Sequence, residues 1–182
     1  MSPIYAITPD KPLNIKNIEN VLKRYNITIL QYRRKIKDNN IKNLETKQLV
    51  VLCNKLKVQL IINDDVQLAK KIGCGVHLGK NDIDIISARN ILGEKAIIGV
   101  SCYNDINLAK KFEKLGVSYC GFGSIFPSTT KPNASVCDLD TIIKAKQELK
   151  IPIVAIGGIN FDNCPKVYNA GADSVAMISA LW

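Results

Sequence analysis

Eight short runs rich in isoleucine and valine recur along the chain, and each of the first seven is followed by a segment of helical spacing. The runs fall at Ile4–Ile7, 27–33, 59–62, 75–78, 96–100, 118–122, 153–156 and 174–178. Between them, apolar residues return every three or four positions, as in Ile15, Ile18 and Leu22, in Leu49, Leu52 and Leu56, in Ile106, Ala109 and Phe112, and in Ile142, Ala145 and Leu149. That spacing gives a helix one apolar face, whereas the short runs read as strands buried on both faces. Eight strands alternating with helices predict an α/β protein, a parallel (β/α)₈ TIM barrel. An open doubly wound sheet is the structural alternative, but it usually has fewer strands. Asn104, Asp138 and Asp162 are expected to cap helices five to seven. The sequence stops at Trp182, directly after the eighth run, so the barrel is expected to lack its final helix and to leave the outer faces of the first and last strands bare. Trp182 or a second copy of the chain, in a homo-oligomer, is the expected cover.

A length of 182 residues with 47% hydrophobic content suffices for one core, and a single domain spanning 1–182 is expected. The net charge of +9 is spread along the chain without a block of like charges, and aromatics do not cluster beside a basic stripe. Nucleic acid is therefore not the expected partner; small anionic substrates are. Six cysteines, at 53, 74, 102, 120, 137 and 164, include no C-x-x-C pair, which argues against zinc. They read as reduced, mostly buried thiols. No apolar run approaches eighteen residues, and no signal peptide is seen, so the expectation is a cytoplasmic protein without membrane attachment.

In a barrel the chemistry gathers where strands end at their C-terminal side, and polar signals recur there. After strand two, Gln31, Arg33 and Lys35 share a face by the period of two and offer an amide and two cations suited to a diphosphate; a solvated basic edge is the plainer alternative. Strand three leads into Asn63 and Asp64 and strand four into Asp82, an acid at each of two neighbouring mouths. Mg²⁺ takes one or two carboxylates and fills its octahedron with water and phosphate oxygens, so Asp64 and Asp82 are its candidate ligands, with helix capping as the alternative. Asp65 and Asp84 read as caps. His77, the single histidine, lies within strand four and reads as a packed or orienting residue rather than a general base. Ser101 ends strand five. After strand six, Pro127 and Pro132 bracket Ser128, Thr129, Thr130 and Lys131, three hydroxyls and an ammonium without an acid, which suit a polyanion or form a plain turn. Gly157 and Gly158 after strand seven and Ser179 after strand eight match the barrel phosphate site.

These residues resemble the thiamine-phosphate synthase family over nearly the whole chain. The resemblance rests on Gln31-Tyr32-Arg33-Arg34-Lys35, Ile62-Asn63-Asp64, Gly75 to Asp82, Gly99-Val100-Ser101, Gly121 to Lys131, Ala155 to Ile159, and Gly171-Ala172-Asp173 with Ile178-Ser179-Ala180. It implies a barrel that joins hydroxymethylpyrimidine diphosphate to a thiazole phosphate and releases diphosphate, with one Mg²⁺ per subunit. It further implies that Gln31, Tyr32, Arg33, Arg34, Lys35, Asn63, Ser101 and Lys131 hold the pyrimidine diphosphate, with Arg33, Lys35, Ser101 and Lys131 acting in catalysis. Asp64 and Asp82 would hold the metal, and Ser128, Thr129, Thr130, Gly158, Ile178 and Ser179 the thiazole phosphate. Ser128 stands where the family commonly has threonine, which keeps the hydroxyl.

Two other readings share the barrel. A thiazole tautomerase-like isomerase would want a proton-transfer residue in the strand-five loop, where this chain has Cys102 and Tyr103. A non-catalytic phosphate-ligand barrel would not need the full set of chemical residue types that is present here.

Overall fold

The computed structural model describes residues 2–127 and 136–182. Its elements alternate as β1 (Ile4–Ile7), α1 (Ile15–Arg24), β2 (Ile27–Tyr32), α2 (Asn39–Leu56), β3 (Gln59–Asn63), α3 (Val66–Ile72), β4 (Gly75–Leu78), α4 (Ile85–Leu92), β5 (Ile98–Tyr103), α5 (Ile106–Lys114), β6 (Tyr119–Phe122), α6 (Leu139–Glu148), β7 (Ile153–Ile156), α7 (Cys164–Asn169) and β8 (Ser174–Met177). Every strand pairs in parallel with its sequence neighbour, and β1 pairs with β8 through Ile4 and Val175, Tyr5 and Ala176, and Ala6 and Met177. The sheet is thus a closed barrel.

Alternation along each strand sorts the side chains into two layers. Outward residues such as Ile4, Ala6, Leu30, Tyr32 and Ile62 join the large cluster between strands and helices, with Leu49, Leu52 and Ile142 from the helical side. Inward residues form a smaller cluster of Tyr5, Ile7, Tyr119, Val154 and Ala176. At this second layer Gly99 is required by close approach, since a Cβ there would lie 1.9 Å from Cζ of Tyr119.

Acidic caps start most helices. Asp65, Asp84 and Asp138 each accept a backbone N–H from the first turn, of Leu68, Ser87 and Thr141, as their sequence context predicts. The expected caps of the fifth and seventh helices shift by one residue. Asp105, not Asn104, accepts from Leu108 N at 2.9 Å. Asn163, not Asp162, takes the cap position of α7 but makes no capping bond, because its side chain serves the preceding loop through Asn160 N and Gly158 O. Strand five is also displaced, from the expected 96–100 to Ile98–Tyr103. The Ala96 carbonyl accepts Arg89 Nη1 at 2.6 Å, which ties residue 96 to the end of α4 and leaves the strand to begin later. Ser101 therefore lies inside the strand.

Among the described residues there are seven helices, and none follows β8. The outer faces of β1 and β8 are nonetheless not bare. Ile4, Ala6, Val175 and Met177 are all buried, in one cluster with Ile18, Val21 and Leu22 of α1, against which Trp182 packs. The Trp182 indole donates to the Ile7 carbonyl at 2.7 Å, and Leu181 is buried. Tyr168 and Ser174 both donate to the Pro3 carbonyl, at 2.6 and 3.0 Å, closing the seam between the last turn of the barrel and β1.

Candidate active site

The C-terminal mouth of the barrel holds a cavity of about 470 Å³ lined by residues from every strand or the loop that follows it. On β2 the strict alternation of side chains decides which of five consecutive polar residues reach it. Gln31, Arg33 and Lys35 line the cavity; Tyr32 and Arg34 do not. The buried Tyr32 hydroxyl points outward and donates to Glu45 of α2 at 2.6 Å, and Arg34 lies beside Glu45 and Asp10 at 3.6 and 3.5 Å. The expectation that Tyr32 and Arg34 touch the ligand runs against this pleat: they bind the strand to α2 instead. Two residues after β1 hold the basic stretch in place. Thr8 Oγ accepts Arg33 N at 2.9 Å and Asp10 accepts Lys35 N at 3.0 Å, which keeps the Asp10 carboxyl below the usual carboxylate range.

Next to these cations the loops after β3 and β4 bring two carboxylates together. Asp64 adopts a left-handed backbone, φ 65°, with its N–H on the His77 carbonyl at 2.9 Å. Asp82 is not a cap; its Oδ2 accepts Gly79 N at 2.6 Å. Partial desolvation, then the hydrogen bond and charge of Asp82, push Asp64 up to about 6, against the pull of Arg33 and Asn63. Two carboxyls that share a hydrogen bond and repel as charges form a place a divalent cation would relieve. An oxygen-only pair with room for phosphate oxygens and water suits Mg²⁺. Among the described residues no group of three or more histidines, cysteines or acids offers a site of the zinc type.

Below the mouth a polar chain crosses the inward layer. Gln31 Nε2 donates to the Tyr5 hydroxyl at 2.8 Å, Tyr5 and Tyr119 hydroxyls meet at 2.7 Å, Tyr119 meets His77 Nδ1 at 3.1 Å, and His77 Nε2 meets Ser101 Oγ at 2.9 Å. His77 is thus an orienting residue within the barrel, as its place in the strand suggests. Tyr5 and Tyr119 have no signal in linear sequence beyond an inward phase on their strands, since 114 residues separate them. Tyr103 was equally silent; at φ 59° it lines the cavity and its hydroxyl accepts Lys80 N at 3.2 Å.

The opposite rim is built from backbone. Gly157, Gly158, Ile178 and Ser179 line the cavity after β7 and β8. Gly158 has φ 60°, and a Cβ there would come within 2.4 Å of the Pro127 carbonyl, so only glycine lets the loop after β6 lie against it. That loop is tied down at its entry by Ile125 N to Ile156 O and Phe126 N to Gly157 O, each 3.0 Å, and at its exit by Cys137 N to Ser124 O at 2.8 Å. Ser128, Thr129, Thr130 and Lys131 lie outside the described residues. Asn63 and Ser101 also line the cavity.

Comparison with known proteins matches nearly the whole chain. The family model described as thiamine monophosphate synthase matches residues 4–181. The thiamine-phosphate synthase of Methylobacillus flagellatus is 46% identical, covering 98% of this chain and 87% of that protein. That of Methylococcus capsulatus is 41% identical, over 98% and 81%. The solved structure of thiamine phosphate pyrophosphorylase from Pyrococcus furiosus superposes with a TM-score of 0.89 at 33% identity, covering 98% of this chain and 86% of that one. An N-acetylmannosamine-6-phosphate 2-epimerase from Clostridium perfringens shares the fold alone, at 14% identity and a TM-score of 0.71. The chain belongs to the thiamine monophosphate synthase family.

Proposed function

We propose that this chain is a thiamine-phosphate synthase that condenses hydroxymethylpyrimidine diphosphate with a thiazole phosphate, giving thiamine phosphate and diphosphate. The observation that carries the reading is one cavity with two unlike rims. Arg33, Lys35 and Asp64, the last hydrogen-bonded to Asp82, line it after β2 and β3, and the glycine backbone of Gly157 and Gly158 lines it with Ser179 after β7 and β8. The first rim suits a diphosphate with its cation, the second a phosphate monoester bound by backbone N–H groups.

Arg33 and Lys35, with Lys131, neutralise charge on the departing diphosphate. Asp64 and Asp82 would hold Mg²⁺, which when bound supplies further positive charge at the leaving oxygens. Gln31, Asn63 and Ser101 hold the pyrimidine, while Gly158, Ile178, Ser179 and the hydroxyls of Ser128, Thr129 and Thr130 hold the thiazole phosphate. The C–O bond breaks with both electrons passing to diphosphate, and the thiazole nitrogen donates its lone pair to the pyrimidinylmethyl cation. No proton is removed at the reacting atoms, so the site needs register and charge rather than a base. An isomerase would need a proton carrier in the strand-five segment. Cys102 there is fully buried, its thiol pushed up by a hydrogen bond to Cys120 and by burial.

The test is incubation of the purified protein with both substrates and Mg²⁺, with chromatographic measurement of thiamine phosphate and diphosphate. Equal amounts of the two products, lost on chelation, are expected. Binding of both substrates without product would leave a ligand-holding barrel in place of the synthase.

A further inference from the structure

The chain from Gln31 through Tyr5, Tyr119 and His77 to Ser101 links five residues from five strands, β2, β1, β6, β4 and β5, and each contact has room for one hydrogen. Its two ends, Gln31 and Ser101, both line the mouth. Burial pushes the Tyr5 and Tyr119 hydroxyls up, so each keeps its single proton at neutral pH.

With one proton per hydroxyl, a choice at one end propagates to the other. Gln31 Nε2 donates to Tyr5, so the Tyr5 proton goes to Tyr119. The Tyr119 proton then goes to His77 Nδ1, which must be bare. A neutral imidazole with bare Nδ1 carries its hydrogen on Nε2 and donates to Ser101 Oγ. The Ser101 proton is left to point elsewhere, and Gln31 has its carbonyl oxygen left over. Turning the amide of Gln31 round would reverse every bond, leaving Gln31 with an N–H to offer and Ser101 with lone pairs only. A mixed order leaves a buried hydroxyl without an acceptor or sets two hydrogens against each other, either of which costs the desolvation of an unpaired buried polar group.

We infer that this chain fixes opposite hydrogen-bonding characters at its two ends, with Tyr5, Tyr119 and His77 as positioning residues that present Gln31 as an acceptor and Ser101 as a donor to the ligand in the mouth. The selected ligand is a polar group that offers an N–H toward Gln31 and a lone pair toward Ser101. A group with that pattern inverted meets two mismatches at once. Identifying this ligand with the pyrimidine substrate rests on the proposed function; the proton order does not.

His77 is the only histidine in the chain, so protein labelled with ¹⁵N-histidine yields one imidazole spin system whose two nitrogen signals report the tautomer directly. The ligand-free wild-type protein at neutral pH is expected to show the Nε2–H tautomer, and Tyr119→Phe, which removes the donor to Nδ1, to show a mixture of both. An Nδ1–H tautomer in the wild type overturns the assigned order, and an unchanged tautomer in the variant overturns the role of Tyr119. If Tyr119→Phe does not fold, the wild-type signal still decides the order. Tyr5→Phe, which frees the Gln31 amide to turn, is expected to raise KM for the pyrimidine diphosphate about tenfold with a smaller change in kcat. A fall in kcat at constant KM would count against positioning. Absence of turnover in the wild type would refute the synthase reading while leaving the tautomer result standing.

Discussion

Asp64 carries a carboxyl held well above its ordinary range by partial desolvation and by Asp82, and the consequences can be measured without substrate. Its carboxyl titrates near 6 in the folded protein against 3.8 as a free group. Between those values the folded state binds the proton more readily than the unfolded chain, so in metal-free protein this residue makes stability fall as pH rises from about 4 to about 6. Because the side chain is exposed at the mouth, the fall is expected to be below about 1 kcal/mol. Asp64→Asn should flatten that part of the stability profile and abolish most of the rise in Tm that Mg²⁺ gives the wild type at pH 7. An undiminished Mg²⁺ effect in the variant would remove Asp64 from the metal site. Tyr32 offers the complementary test. Tyr32→Phe leaves buried Glu45 short of a donor and should destabilise by about 1–2 kcal/mol in urea unfolding while leaving KM for the pyrimidine diphosphate within about twofold. At this scale the sequence was informative where strand phase alone decides, as for Gln31, Arg33 and Lys35. It misled where a motif was taken whole, since Tyr32 and Arg34 alternate to the other face.

The elements show a similar division. All eight strands and the four spelled-out helical patterns are visible in apolar spacing because burial on one or two faces writes directly into sequence. Their edges are not, since they depend on tertiary partners such as Arg89, whose guanidinium holds the Ala96 carbonyl and sets where β5 begins. Caps shift for a similar reason: Asn104 and Asp105 are both good capping types, and only the chain path picks Asp105. Asp105→Ala is therefore expected to cost about 1 kcal/mol of stability and Asn104→Ala only a few tenths, as read from urea midpoints. Equal losses would mean that the start of α5 is held by packing rather than by its cap.

For the molecule as a whole, Trp182 or a second copy is the cover expected over the outer faces of β1 and β8, and residues of this chain, with Trp182 packed against them, bury those faces. Trp182 contributes both packing and a hydrogen bond to the end of β1, so Trp182→Ala should lower stability by about 2 kcal/mol without changing which products form. The Tyr5–Tyr119–His77 chain escaped the sequence because its parts meet only once the barrel has closed. That closure also has a history in time. β1 is made well before β8, yet one of its edges finds its partner only there, at Ser174–Met177. At roughly 5–20 residues per second, synthesis leaves that edge open for about ten to thirty seconds. During this interval the nascent chain carries an apolar strand with unpaired N–H and C=O groups, and its protection then falls to whatever attends the ribosome rather than to the fold.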